Sequence, residues 1–226
     1  MKVRVVCATR ADRDGFFAAT ALGKSLSLHR SADVELRLFT RNAAGLPSLY
    51  NTAIAESAAD GAILVFVHDD VHLCDFHWAD CLERALGQFA IVGVAGNRRR
   101  VARQPGWSFL DEAFTRDRRE NLSGTVGHGR GFPPARIDVF GPTGQQVSLL
   151  DGVLLAVRSD TLHAKTLRFD ERFDFHFYDL DFCRQAERAG LTMGTCPLSL
   201  VHESGGSFGS DPWRRGYDRY LQKWGD

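Results

Sequence analysis

The sequence predicts an α/β fold whose first half is doubly wound on a mostly parallel central sheet. Three observations carry this. Ala62–Val67 reads as a strand buried on both faces, the pattern of a parallel sheet, and Val3–Ala8 and Phe89–Ala95 read as further strands. Segments with apolar residues at helical spacing lie between the strands, and strand–helix alternation is the signature of this class. The run Ala62–Val67 stops abruptly on His68-Asp69-Asp70, and open α/β sheets bind ligands at the carboxyl ends of their strands.

Taken in order, Val3–Ala8 is the first strand and ends in the polar loop Thr9–Arg13. Phe16, Phe17, Leu22, Leu26 and Leu28 then predict helix up to His29. Val34–Phe39 alternates as a second strand and ends at Thr40-Arg41-Asn42. A helix starting near Gly45-Leu46-Pro47-Ser48 carries Leu49, Tyr50, Ile54 and Ala58. The third strand and a helix over Phe76–Leu86 follow, then Phe89–Ala95 as a fourth strand. Right-handed crossovers bring the loops Thr9–Arg13, Thr40–Asn42 and His68–Val71 to one edge, the natural place for a nucleotide.

From residue 97 to 134 the periodicity fails, and the segment reads as an insertion or lid loop over the active edge. Arg136–Phe140 and Gln145–Leu150 read as a hairpin around Gly141–Gly144. Val153–Val157 is apolar again. The stretch from Phe169 to Tyr178 is rich in aromatics, and Asp179–Ala189 is helical up to the stop at Gly190. Leu191–Cys196 and Leu198–Val201 are short strands leading to His202, and Pro212–Trp224 is an amphipathic helix. One domain, 1–226, is expected, with a nucleotide-binding half (1–96), the insertion (97–134) and an acceptor half (135–226).

The 226 residues suffice for a full core. Basic and acidic residues balance at 28 each, so no global field favours nucleic acid. Arg98–Arg100 and Arg116–Arg119 read as solvated faces. Five scattered Cys with no C-x-x-C predict reduced thiols and a cytoplasmic protein. The opening MKVRVVCATR starts a strand and is no signal peptide. No run is long enough to span a bilayer, although a peripheral position at the inner membrane remains compatible. No G-x-G-x-x-G follows the first strand and no Walker-type loop occurs, so a bound diphosphate would need a metal or Arg and Lys for neutralisation.

Two adjacent carboxylates and an imidazole suit a divalent cation. Asp69 and Asp70 could otherwise cap the next turn. Asp179 and Asp181 start a helix, where capping and the dipole would explain them, but either could serve as a general base. Spacing does not say which. His202 sits in VHESGGS after a strand, either as a structural His or as a ligand on a flexible loop. Aromatics at Phe173–Tyr178 and along Trp213, Tyr217 and Tyr220 read as core before sugar-stacking platforms.

The ordered set LYNTAI, HDDV, W-x-D-x-L-x-x-A-L, IVGVAG, LLDGVLLAVR, FHFYDLDFCRQAERAG and VHESGGS resembles the family-2-like glycosyltransferases, closest to the bacterial branch with a His-x-Asp-Val metal motif. The resemblance covers nearly the whole chain apart from residues 97–134. It implies a GT-A fold with a Rossmann-like nucleotide-binding half. It also implies Mn2+ or Mg2+ as cofactor, a nucleotide-diphosphate sugar donor, and a glycan or lipid-linked acceptor, as in surface-polysaccharide synthesis. Residue by residue it implies Asp70 and His202 as metal ligands, with Asp69 beside them and His68 replacing the usual first Asp. Asp179 matches the second residue of the pair that supplies the base, and Tyr178 replaces the Glu. Asp151 lies where donor sugar or acceptor is contacted. Thr9, Arg10, Thr40, Arg41, Asn51, His68 and Asp69 are thereby implied to bind the nucleotide-sugar.

Rival readings stay distinct. His68, Asp70 and His202 also spell the two-His-one-carboxylate set of Fe(II)/2-oxoglutarate oxygenases, with Arg214 downstream, but those enzymes are all-β jelly rolls. A sugar nucleotidyltransferase would show a Gly-rich basic loop after the first strand, where CATRADRDG has one Gly. A non-catalytic nucleotide-sugar-binding module would leave the carboxylates as caps and surface charge.

Overall fold

A computed structural model describes residues 2–29 and 31–225. The chain runs through β1 (Val3–Ala8), α1 (Arg13–Ala19), α2 (Ala21–Leu28), β2 (Val34–Phe39), α3 (Leu46–Glu56), β3 (Ile63–Val67), β4 (Val71–Leu73), α4 (Trp78–Leu86), β5 (Ile91–Gly93) and β6 (Ala95–Asn97). It continues through β7 (Leu122–His128), β8 (Arg136–Gly141), β9 (Gln146–Val147), β10 (Leu149–Leu150), β11 (Leu154–Arg158), α5 (Ser159–Ala164), α6 (Tyr178–Arg188), β12 (Met193–Thr195), β13 (Leu200–His202) and α7 (Asp211–Trp224).

The larger sheet has the order β2-β1-β3-β11-β5-β12-β9. β2, β1 and β3 pair in parallel, as do β5 and β12. β11 runs antiparallel between β3 and β5, so all five of those strands share one direction against β11 and β9. The expected parallel framework is therefore present, with one later strand inserted into its middle. β3 is buried at every position, as its unbroken apolar run requires. A second sheet, β10-β6-β7-β13-β4 with β8 on β7, crosses the carboxyl side of the first. The chain steps from one sheet to the other at His68–Asp70, at Val94 and at Ser148. Layers of helix and mixed sheet replace the jelly roll that an oxygenase reading needs.

Local expectations differ from the structure at four places. The helix expected from Phe16 to His29 is two helices, because Thr20 adopts an extended conformation and its hydroxyl caps Gly23 N. A Cβ on Gly23 would lie 2.1 Å from Phe16 O, so only Gly lets α2 fold back this closely. The Phe89–Ala95 strand divides at Val94 between the two sheets. Arg136–Phe140 and Gln145–Leu150 do not pair as a hairpin: β8 pairs with β7, β9 with β12 and β10 with β6.

The fourth difference lies in residues 97–134, which contain strand β7 and dock through a buried polar knot rather than lying as a bare loop. Asp117, whose side chain is fully buried, accepts from Arg99 Nη2 at 2.6 Å, Asn97 Nδ2 at 3.0 Å and Asn121 Nδ2 at 2.9 Å. Asn97 also donates to Trp107 O at 2.9 Å. These bonds hold the Asp117 carboxyl well below the usual range, the Arg99 bond contributing most. The stability they give is present above the ordinary carboxylate pKa and is lost as pH falls below it. Asp117→Ala strands the buried Asn97 amide and is expected to cost about 3 kcal/mol, read as a Tm drop on the order of 6–12 °C.

α7 is anchored on α6. Trp224 Nε1 donates to Asp181 Oδ1 at 2.8 Å, Lys223 pairs with the same carboxylate, and Arg188 lies 4.1 Å above the Trp224 ring. All five cysteines are free thiols, as expected. Among the described residues no helix is long and apolar enough to cross a membrane.

Candidate active site

The turn after β3 and the end of β13 meet where the two sheets join. His202 pairs with Val71 of β4 and with His128 of β7, which carries it back to the His68–Asp70 turn far earlier in the chain. One ligand atom each from His68, Asp70 and His202 lie within 4.8 Å of one another. His202 Nε2 is 3.4 Å from Asp70 Oδ2 and 3.0 Å from Ser204 Oγ. Burial pushes the Asp70 carboxyl up, but the His202 bond and the charges of His202 and His68 outweigh it and hold it at about 2. Burial likewise lowers His202, and Asp70 more than restores it, so its pKa is raised. Burial dominates at His68 and keeps it neutral, the form that ligates metal. Asp70 Oδ1 is buried without a hydrogen-bond partner. An ionised carboxylate with one idle buried oxygen, beside two imidazoles, fits a divalent cation.

Across from this group stands the start of α6. Phe177, its N-cap, has φ 68°, a left-handed conformation that is costly for an aromatic residue and concentrates at functional sites. It turns Tyr178 and Asp179 toward the Asp151-Gly152 turn. Tyr178 Oη donates to Gly152 O at 2.8 Å and lies 2.9 Å from His68 Nε2. Gly152 N donates to Asp179 Oδ2 at 3.0 Å. A Cβ on Gly152 would lie 2.6 Å from Tyr178 Oη and 2.9 Å from Asp179 Cβ, so this approach requires Gly. Asp151 accepts from Trp107 Nε1 at 2.9 Å and from Val153 N at 3.0 Å. Burial first, and the neighbouring Asp151 charge second, raise the Asp179 carboxyl to about 7. His68, Trp107, Asp151, Asp179, Phe208 and Trp213 line a cavity of about 210 Å³ here.

A second, larger cleft of about 640 Å³ lies at the carboxyl ends of β1 and β3. Thr9, Arg10, Asn42, Gly45, Asp69 and Phe175 line it, and Phe175 belongs to both cavities. The loops expected to converge do so: Asn42 N donates to Thr9 O at 2.8 Å and Arg41 N to Ala11 O at 2.9 Å. Thr40 and Arg41 are exposed outside the cleft wall, Arg41 pairing with Asp12 at 3.5 Å.

Two candidates are engaged elsewhere. Asn51 uses its amide on Phe169 N, Phe169 O and Glu171 Oε1, pinning the 169–171 segment to α3. Asp181 is fully buried against α7 and is not part of the cavity wall. The helix period explains the second case, since residues two apart point to different faces. Tyr178 and Trp107 are contacts that the sequence reading did not assign to the site. A Tyr in place of the expected Glu was the available signal for the first. Trp107 lay in the segment without periodicity and gave none.

A model for a glycosyltransferase-like family matches residues 8–205. No curated protein sequence matches. Among solved structures the chain is similar to GalNAc-T7 with UDP, GalNAc and Mn2+, at 10% identity over 98% of this chain and 48% of that one, TM-score 0.53. It is similar to S. aureus TarS at 11% identity, 90% and 37% coverage and TM-score 0.51. The catalytic domain of Drosophila β1,4-galactosyltransferase 7 with xylobiose gives 10% identity, 96% and 79% coverage and TM-score 0.51. The chain spans less than half the length of the first two, and at such identities the likeness shows the fold alone. Because the family match runs over most of the sequence and the layered fold agrees with it, this chain belongs to the glycosyltransferase-like family and has the GT-A fold.

Proposed function

We propose that the chain is a metal-dependent, inverting glycosyltransferase that moves a sugar from a nucleoside-diphosphate donor to an acceptor hydroxyl on a glycan or lipid-linked glycan. One observation carries this: the His68–Asp70–His202 group sits beside a nucleotide-sized cleft on one side and a cavity walled by a carboxyl near pKa 7 on the other. Thr9, Arg10, Asn42 and Asp69 line the place for base and ribose, with Thr40 and Arg41 at its rim. A bound Mn2+ or Mg2+ would hold the donor diphosphate and offset the charge that grows on it as the glycosidic bond breaks. Asp179 takes the proton of the attacking hydroxyl from the opposite face, and displacement in one step inverts the anomeric carbon. Asp151, oriented by Trp107, lines the acceptor side and keeps Asp179 basic through its charge.

The GT-A neighbour crystallised with UDP, GalNAc and Mn2+ puts UDP-sugars first in a donor panel. The test incubates the purified chain with nucleotide-sugars, with Mn2+ or Mg2+, and follows release of nucleoside diphosphate. Release with at least one donor that stops on adding EDTA is the expected result. No turnover of any donor, together with no Mn2+-dependent Tm shift by any nucleotide, overturns the reading. The anomeric configuration of the product, read by NMR, decides inversion.

A further inference from the structure

We propose that Tyr178 is a positioning residue for the cation site: its hydroxyl fixes His68 as the Nε2–H tautomer, so that Nδ1 is the nitrogen offered to the metal. The inference rests on the metal-dependent reading above and adds a residue to it. A carbonyl oxygen only accepts, so the 2.8 Å contact between Tyr178 Oη and Gly152 O consumes the single hydroxyl proton of Tyr178. The same oxygen stands 2.9 Å from His68 Nε2 and has only lone pairs left for it. His68 Nε2 must then carry the ring proton, and in a neutral imidazole the other nitrogen holds the lone pair.

The ring is also held in plane and direction. His68 stacks on Phe175 with centroids 5.5 Å apart, and Tyr178 is buried with Gly152 packed too closely for a Cβ. Gly152 is gripped at both ends of its backbone, by Tyr178 at the carbonyl and by Asp179 at the N–H. A chain of hydrogen bonds and one residue of backbone therefore connects the cation ligand His68 to the carboxyl of Asp179. A second partner of this kind, which sets the tautomer of a ligating imidazole, typically changes metal affinity about 10–100-fold.

The test uses the full chain, metal-free and 15N-labelled at histidine, near pH 8. Two-bond 1H–15N correlations report the tautomer of each ring, and His68→Gln assigns the His68 signals. The wild type is expected to show His68 as Nε2–H, and Tyr178→Phe is expected to shift it toward a mixture. Titration with Mn2+ alone, followed by EPR, is expected to give a Kd at least about tenfold weaker for Tyr178→Phe than for the wild type. An Nδ1–H pattern for His68 in the wild type, or a Tyr178→Phe Kd within twofold of wild type, overturns the proposal. The wild-type spectrum needs no variant of Tyr178, so a poorly folding Tyr178→Phe does not shield the proposal. A wild-type chain with the Nε2–H pattern that takes up no Mn2+ overturns the metal-dependent reading itself and leaves the tautomer assignment standing.

Discussion

Asp179→Asn is expected to lower kcat by about three orders of magnitude while leaving donor binding within a few-fold of wild type. The amide keeps the shape and can still accept the Gly152 N–H, but it cannot take a proton. In the wild type the rate should rise with pH along a limb centred near 7, since only the ionised carboxyl acts as a base and burial with the Asp151 charge sets its pKa at about 7. The same variant should be more stable than wild type. A carboxyl raised from its ordinary value near 4 to about 7 binds its proton more tightly in the folded state, so the wild type loses stability between those two pH values and stays lowered above them. Asparagine removes that loss, by up to about 4 kcal/mol at pH 8. Single-turnover kinetics and thermal melts at pH 5 and pH 8 check both halves. A variant that is slow but no more stable at pH 8 would mean that Asp179 is not charged and buried as described. A variant at wild-type rate would remove Asp179 from the base role.

Asp70→Asn is expected to weaken Mn2+ binding at least about 100-fold, or about 2.7 kcal/mol, and to abolish turnover at ordinary metal concentrations. Asp70 brings the only carboxylate of the three-residue group, and its idle Oδ1 is the atom best placed to ligate. EPR titration of free Mn2+ measures the loss directly. Thermal melts give an independent reading: UDP with Mn2+ should raise the Tm of the wild type and leave that of Asp70→Asn unmoved, because ligand stabilises only the state that binds it. Equal Tm shifts in both proteins would show that the nucleotide cleft works without this cation group. The pH dependence of folding follows from the same residue. With its folded pKa at about 2, Asp70 stabilises the wild type above the ordinary carboxylate range and loses that contribution as pH falls toward 2.

The strands whose burial is written into their composition were legible. Ala62–Val67 is unbroken apolar sequence and lies in mid-sheet; Asp179–Ala189 has helical propensity and a Gly stop and forms α6 with its end at Arg188. Elements whose pairing depends on distant partners were not. The segments around Gly141–Gly144 resemble a hairpin by turn chemistry, yet the first pairs back onto the preceding strand β7, and the second is split between β12 and β6, both distant in the chain. Thr9, Arg10 and Asp69 fell on the cleft as strand-end logic placed them, because the carboxyl edge of parallel strands is a consequence of topology. Asn51 followed the family pattern in sequence, but its amide is taken by the backbone at Phe169.

By itself the sequence determined that this is an α/β chain with a loaded strand end at His68–Asp70 and a late His202, since period and abrupt polarity changes are local properties. Only the tertiary structure decided which of Asp179 and Asp181 faces the cavity, that Tyr178 joins His68 to Gly152, and that Trp107 holds Asp151. Those facts depend on how α6, α7 and the two sheets pack, and packing between residues 26 to 110 positions apart leaves no periodic trace in the chain.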